Sequence, residues 1–311
     1  MRGEEVEPLA GLLRALDEAG YHFVTVTPET HRGAVDRRGG EPARDLRDVF
    51  GWSLPFAPGL LGAEIERLLD EAGAIERRPD GRRRSRLRVS ALSGRLFLHS
   101  AWPTEEEDSV FFGPDTYRFA RFIEAETRDL PPGGRVVDMG AGSGPGGILA
   151  GGLLEAAEVT LVDVNPRALL LAEANAAAAG LPVETVEAGS LEGIAPADLI
   201  ISNPPFIADP EGRSYRDGGD GLGTDLSLQW AVEGAARLNP GGRMLLYTGS
   251  PIVSGEDRLL GRLIEAMDEA GCTLRYEELD PDIFGEELDQ PAYAEAEVER
   301  IAAVGAVISR G

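Results

Sequence analysis

With 311 residues and 42% apolar content, the chain is long enough for one large domain or two, each with a real core. Its formal net charge of −24 argues against broad, charge-driven binding to a nucleic acid backbone, and its single cysteine, Cys272, excludes an internal disulfide or a cysteine-rich metal site. The first residues form no apolar signal-like stretch and no run approaches the length of a bilayer span, so a cytoplasmic protein with no membrane partner is expected. In chain order, residues 10–19 have helical spacing and stop at Gly20. Residues 44–50 predict a second helix before Pro55 and Pro58, and residues 63–72 a third, amphipathic helix ended by Gly73. Residues 74–77 and 85–92 predict strands around a turn at Pro79-Asp80-Gly81, followed by a third strand at 95–99. Helices followed by a basic hairpin suggest a small α+β, winged-helix-like module. Residues 101–108, with Pro103 and three consecutive Glu, read as a linker. They divide the chain into an N-terminal accessory or substrate-recruiting domain with linker, 1–108, and a second domain, 109–311.

A helix is expected within 115–127, with Phe119, Phe122 and Ile123 on one face. Strands at 136–139, 158–163, 183–188, 197–202, 243–248 and 273–278 then alternate with helices at 146–154, 166–179, 225–238 and 257–270. Such alternation implies an α/β fold, with a parallel sheet covered by helices on both faces. Residues 294–309 form a last strand candidate that contains Gly305.

Charge is unevenly placed. Residues 1–100 balance 16 Arg against 16 acids, while the remainder holds 14 Arg against 38 acids. One basic run stands out, with Arg77, Arg78, Arg82, Arg83, Arg84, Arg86 and Arg88 between positions 77 and 88. It reads either as a solvated hairpin or as a wing that touches nucleic acid or an acidic partner.

Two segments carry chemistry. Val136-Val137-Asp138-Met139-Gly140-Ala141-Gly142-Ser143-Gly144 is a strand running into a glycine-rich turn. Glycines there let the backbone approach a ligand with no Cβ in the way, and amides at the following helix start suit an anionic group. The strand Val159-Thr160-Leu161-Val162-Asp163 ends in an acid 25 positions after Asp138, well placed to bind a pair of ribose hydroxyls. Further on, the apolar strand at 197–202 runs into Asn203-Pro204-Pro205-Phe206. An Asn oxygen and the next backbone carbonyl can together accept both hydrogens of one NH2 group. The prolines fix the backbone that aims that carbonyl, and an aromatic ring can stack on a flat target. Positioning of this kind activates a delocalised nitrogen without a strong base. A plain strand-ending turn would also use Asn and Pro. Gly142-Ser143-Gly144-Pro145-Gly146-Gly147 also matches G-x-G-x-x-G, with Asp163 about 20 residues on, which is a dinucleotide pattern.

In this order and at this spacing the two segments resemble the class I S-adenosylmethionine-dependent methyltransferases, and more narrowly the branch that methylates planar nitrogens. The resemblance spans roughly residue 111 to the C-terminus. Tyr215-Arg216-Asp217-Gly218-Gly219-Asp220-Gly221-Leu222 and Phe112-Gly113-Pro114-Asp115-Thr116 resemble segments of the peptide-release-factor glutamine methyltransferases. The resemblance implies a Rossmann-like, seven-stranded, mostly parallel sheet with an antiparallel last strand. It implies S-adenosyl-L-methionine as cofactor, with no metal, bound by Asp138, Gly140, Gly142, Gly144, Asp163, Ser190, Leu191 and Thr116. Asn203, Pro204, Pro205 and Phe206 become the catalytic residues. Ser190 stands where such enzymes often carry an acid for the adenine amine, and Phe206 stands where the glutamine methyltransferases usually carry Tyr. Phe there is common in the related RNA guanine and adenine methyltransferases, and the first hundred residues do not resemble the helical recruiting domain of the glutamine enzymes. The matched segments make a protein glutamine amide the favoured acceptor, and these departures keep an exocyclic amine of adenine or guanine in RNA or DNA as the alternative. A scaffold that keeps the cofactor pocket and a nicotinamide-dependent oxidoreductase are the readings outside that class.

Overall fold

The computed structural model of the chain describes residues 2–104, 106–155, 157–208 and 218–311. The N-terminal part contains helices α1 (Arg2–Glu18), α2 (Pro28–Asp36), α3 (Leu46–Phe50) and α4 (Ala63–Glu71). They are followed by strands β1 (Ile75–Arg77), β2 (Arg83–Ser85), β3 (Leu87–Leu92) and β4 (Arg95–Ser100). Helix α2 lies where no element is expected. Its start is nonetheless written locally: the Thr27 hydroxyl accepts from the Thr30 amide, and Pro28 occupies the first turn. The strand expected at 85–92 is broken at Arg86, so β1 pairs with β2 and β3 with β4 as two separate antiparallel pairs.

Part of the basic run is turned inward. Arg83 pairs with Glu66 at 2.6 Å, and Arg84 donates to the carbonyls of Ser53 and Trp102. Arg88 is buried, donates to the Gly51 carbonyl at 3.1 Å and lies over the Phe23 ring. Burial lowers the pKa of its guanidinium to about 10. Arg77, Arg78 and Arg86 remain exposed.

The second part begins with α5 (Pro114–Glu126) and then alternates. In order come β5 (Arg135–Met139), α6 (Pro145–Leu153), β6 (Glu158–Asp163), α7 (Pro166–Ala178), β7 (Val183–Glu187) and β8 (Ala197–Ser202). A short turn α8 (Asp220–Gly223) leads into α9 (Asp225–Arg237), β9 (Leu238–Val253), the two-residue β10 (Glu256–Asp257), α10 (Leu260–Glu269) and β11 (Cys272–Asp280). A 3-10 turn (Gly285–Glu287) and α11 (Pro291–Glu295) precede β12 (Val298–Arg310). The sheet order is β11-β12-β9-β8-β5-β6-β7, with β10 added on β9. β5 to β9 run parallel, and β12 runs antiparallel to both neighbours. The expected seven-stranded path is present, and β10 makes an eighth strand.

Two boundaries differ from expectation for physical reasons. β9 starts at Leu238 rather than 243, because the Asn239-Pro240-Gly241-Gly242 turn is absorbed as a register shift between Ala197 and Leu199 on β8. β12 starts at 298 rather than 294, because residues 291–295 form α11 behind Pro291.

Alternating side chains divide the sheet between two cores. Val136, Leu161, Leu199 and Leu245 face α5, α6 and α7, while Val137, Val162, Ile200 and Met244 face α9 and α10. Helix α7 is buried on both sides. Ala172 and Ala176 join the sheet core, whereas Ala168, Leu171 and Ala174 join the N-terminal core with Leu9, Leu12 and Leu16 of α1. Alanines let a helix be sandwiched closely in this way. Asn175 of α7 accepts from the Leu98 amide at 2.8 Å and donates to the carbonyls of Leu98 and Ser143. It thereby fastens hairpin strand β4 to the glycine-rich turn.

Candidate active site

The C-terminal ends of β5, β6, β7 and β8 open into one cavity of about 1110 Å³. It lies at the sheet position where strand order reverses, with β6 on one side of β5 and β8 on the other. The Ser202 hydroxyl donates to the Met139 carbonyl at 3.0 Å and holds the two strand ends together. Of the expected site residues, Thr116, Asp138, Gly140, Gly142, Asp163 and Asn203 through Phe206 line this cavity. Gly144, Ser190 and Leu191 do not. Gly144 caps the start of α6 in a left-handed conformation, and Leu191 is buried beneath the wall. The turn after β7 presents Ala188 and Gly189 to the cavity instead.

The glycine-rich turn needs its glycines. Gly140 and Gly142 have φ of 72° and 55°, and a Cβ on Gly142 would project into open space, so the turn's backbone is bare to a ligand. Beneath it, Asp138 is 2% exposed and accepts from the Gly147 amide at 2.7 Å. Burial pushes its carboxyl up to about 7, against that hydrogen bond and with help from the charge of Asp163. Asp163 accepts from the Gly142 and Asn165 amides, each at 2.8 Å, through different oxygens. Each oxygen keeps further acceptor capacity. Burial raises this carboxyl too, opposed by its backbone hydrogen bonds. Thr116 is buried and its hydroxyl accepts from the Gly113 amide at 3.2 Å, which leaves its proton free to donate.

On the β8 side, the Oδ1 of Asn203 is buried and has no hydrogen-bond partner among the described residues. Ser143 Oγ and Trp230 Nε1 share that condition and line the same cavity. Buried polar atoms without partners are costly, so three in one cavity mark groups arranged for a ligand. Phe206 is 7% exposed and meets the Phe284 ring edge-on at 5.7 Å. Its placement depends on glycines, because a Cβ on Gly249 would lie 2.3 Å from its ring and one on Gly223 would lie 2.4 Å from its carbonyl oxygen. The Gly218 amide donates to the Ile207 carbonyl at 2.8 Å, so residues 218–223 clasp the tetrapeptide. Tyr215, Arg216 and Asp217 of the segment singled out from the sequence lie outside the described residues.

Much of the wall was missed by sequence reasoning. Pro28, Glu29 and Arg32 of α2, Trp102, Pro103 and Thr104 of the expected linker, Trp230 of α9, and Phe284, Glu286 and Glu287 all contribute. His31 braces this side. It is fully buried between Trp52 and Trp102, and burial lowers its pKa to about 3, so it is neutral. Only α2 carried a local signal, the Thr27-Pro28 cap; the other segments reach the cavity through long-range packing.

A parallel sheet with its cavity at the β5/β8 reversal, a bare glycine turn and an acid ending the next strand is the design of an α/β methyltransferase. The methyltransferase small domain family matches residues 122–250. The release factor glutamine methyltransferase of Deinococcus radiodurans is 34% identical over 196 residues, covering 58% of this chain and 69% of that protein. Its counterpart from Cereibacter sphaeroides is 30% identical over 244 residues, covering 73% of this chain and 84% of that protein. The chain belongs to the release factor glutamine methyltransferase family, and it is an enzyme of methyl transfer. In fold it is similar to the crystal structure of Trm5b from Pyrococcus abyssi, with a TM-score of 0.50 at 18% identity over 79% of this chain and 68% of that one. The nicotinamide reading of the glycine pattern gives way to the methyltransferase family, as does the scaffold reading. Among the described residues, no helix is long and apolar enough to cross a membrane.

Proposed function

We propose that this methyltransferase uses S-adenosyl-L-methionine to methylate a planar nitrogen of a macromolecule, with a protein glutamine amide as the favoured acceptor. The observation that carries this reading is the buried Oδ1 of Asn203, unpartnered among the described residues, at a strand end beside the bare glycine turn. The cavity residues fit the cofactor. Asp163 keeps acceptor capacity for two ribose hydroxyls, the bare turn at Gly140 and Gly142 suits the amino-acid end, and Ser143 Oγ, Asp138 and Thr116 lie within the same walls. When bound, the cofactor supplies a methyl group carried on a sulfonium sulfur.

Asn203 Oδ1 and the Pro204 carbonyl accept the two hydrogens of the target NH2 and aim its lone pair across the turn. Pro204 and Pro205 hold that carbonyl still, and Phe206 flanks the target plane. The target nitrogen would take the methyl as its bond to the sulfonium sulfur breaks, a neutral thioether being the leaving group, and would release one proton to water. Residues 1–108 serve as the recruiting part, since α2 and the 102–104 segment wall the cavity mouth. An exocyclic base amine in RNA is the second reading, favoured by the exposed Arg77, Arg78 and Arg86.

Two variants separate binding from chemistry. Asn203→Ala lowers kcat by about 10²-fold, the usual loss for one oriented transition-state contact, and leaves S-adenosylhomocysteine affinity near native. Asp163→Ala does the reverse, weakening calorimetric S-adenosylhomocysteine affinity by about 1.5–3 kcal/mol. Native kcat in Asn203→Ala would reject the assigned chemistry.

A further inference from the structure

Trp230 is a cavity-lining group that the chemistry above leaves unused. It is 7% exposed, and its Nε1 has no hydrogen-bond partner among the described residues. An indole N–H is a donor only, so the site lacks an acceptor there. The benzo edge of its ring lies under Gly140, where a Cβ would sit 2.7 Å from Cζ3, so the indole packs against the glycine turn with Nε1 on its opposite edge. Trp230 also shares a core with Val162 and Leu191, at the β6 and β7 ends of the cavity. Glu233, one turn further along α9, accepts from the Leu191 amide at 3.0 Å and ties the helix to the turn that presents Gly189. The residue after Gly189 is Ser190, which lies off the wall with its hydroxyl accepting from the Glu192 amide at 3.3 Å. Ser190 thus brings no side-chain group to the wall there, while Trp230 lines the same cavity with a donor that is unpartnered among the described residues.

We infer that Trp230 is a cofactor-specificity residue, its indole N–H donating to a ring nitrogen of the cofactor's purine. A purine offers several in-plane nitrogen acceptors, and Gly140, Val164 and Gly189 line the same cavity as Trp230. The inference rests on the cavity being the S-adenosylmethionine site, and the test keeps the two apart. The chain has three tryptophans, so a proton–nitrogen spectrum contains three indole signals. Trp230→Phe identifies one of them; if that variant does not fold, Trp52→Phe and Trp102→Phe identify it by elimination. Adding S-adenosylhomocysteine to the native protein moves the Trp230 signal downfield and slows its exchange with solvent. 5′-Methylthioadenosine, which has the purine and ribose without the amino-acid end, does the same, whereas homocysteine does not. Trp230→Phe weakens S-adenosylhomocysteine binding about 3- to 10-fold, the loss of one neutral hydrogen bond. Calorimetric binding with an unmoved Trp230 signal, or a signal moved by homocysteine and not by methylthioadenosine, would overturn the purine contact. Failure of the native protein to bind S-adenosylhomocysteine would instead sink the cofactor reading beneath it.

Discussion

Asp138 is a residue whose charge the fold disfavours. Its carboxyl, pushed up to about 7 by burial, stays partly protonated near neutrality in the folded protein and ionises near pH 4 when unfolded. A raised folded pKa gives stability that is fullest below the unfolded value and is lost as pH climbs through the folded one. Asp138→Asn keeps an acceptor for the Gly147 amide and cannot ionise. Relative to that variant, the native protein should lose on the order of 2–4 kcal/mol in urea unfolding between pH 4.5 and 7.5. Parallel pH dependences would mean that Asp138 is charged in the fold throughout. Within the cavity Asp163 accepts two amides, while Asn203 Oδ1, Ser143 Oγ and Trp230 Nε1 have no hydrogen-bond partner among the described residues.

At the scale of elements, β9 does more than complete the sheet. Its Gly249 leaves space for the Phe206 ring, and Gly305 of β12 does the same for Phe122 of α5, where a Cβ would lie 2.8 Å from the ring. Gly249→Ala should therefore displace Phe206 without touching the glycine turn. The expected outcome is a higher KM for the methyl acceptor, with S-adenosylhomocysteine affinity within about twofold of native, since displacement confined to the target end removes no cofactor contact. Equal losses in both would place Phe206 in cofactor binding. These strand contacts explain what could be read in advance. The glycine turn and the Asn203 tetrapeptide follow directly from their strands, so local sequence specifies both. Ser190 and Leu191 were expected on the wall because they follow Gly189, but Leu191 turns into the core with its amide on Glu233. Trp230, Phe284 and the 102–104 segment reach the cavity from elements distant in sequence, and no spacing rule reports that. Helix α2 was legible in principle from Thr27 and Pro28, but its mostly polar residues hid its periodicity.

Across the whole molecule, the N-terminal part and the sheet are joined through α7. Ala168, Leu171 and Ala174 belong to the N-terminal core, and Asn175 bridges Leu98 and Ser143. The charge-balanced first hundred residues stand against an acidic remainder, and the exposed arginines of the hairpin are Arg77, Arg78 and Arg86 rather than the inward Arg83, Arg84 and Arg88. Reversing those three to Glu should raise KM for the macromolecular acceptor and spare both folding and cofactor affinity, because the Arg77–Asp70 pair it breaks is exposed and worth little. If the acceptor is RNA, that KM should also climb steeply with salt. Native kinetics in the triple variant would leave the run as a solvated face. The central claim, transfer to a planar amide nitrogen, is tested most directly by the fate of the methyl group. Cell lysate labelled by the protein with methyl-tritiated S-adenosylmethionine should carry protease-sensitive, ribonuclease-resistant label that acid hydrolysis releases as methylamine, and Asn203→Ala should slow its appearance by about 10²-fold. Label recovered as methanol from an ester, or bound to carbon or sulfur, would contradict the account.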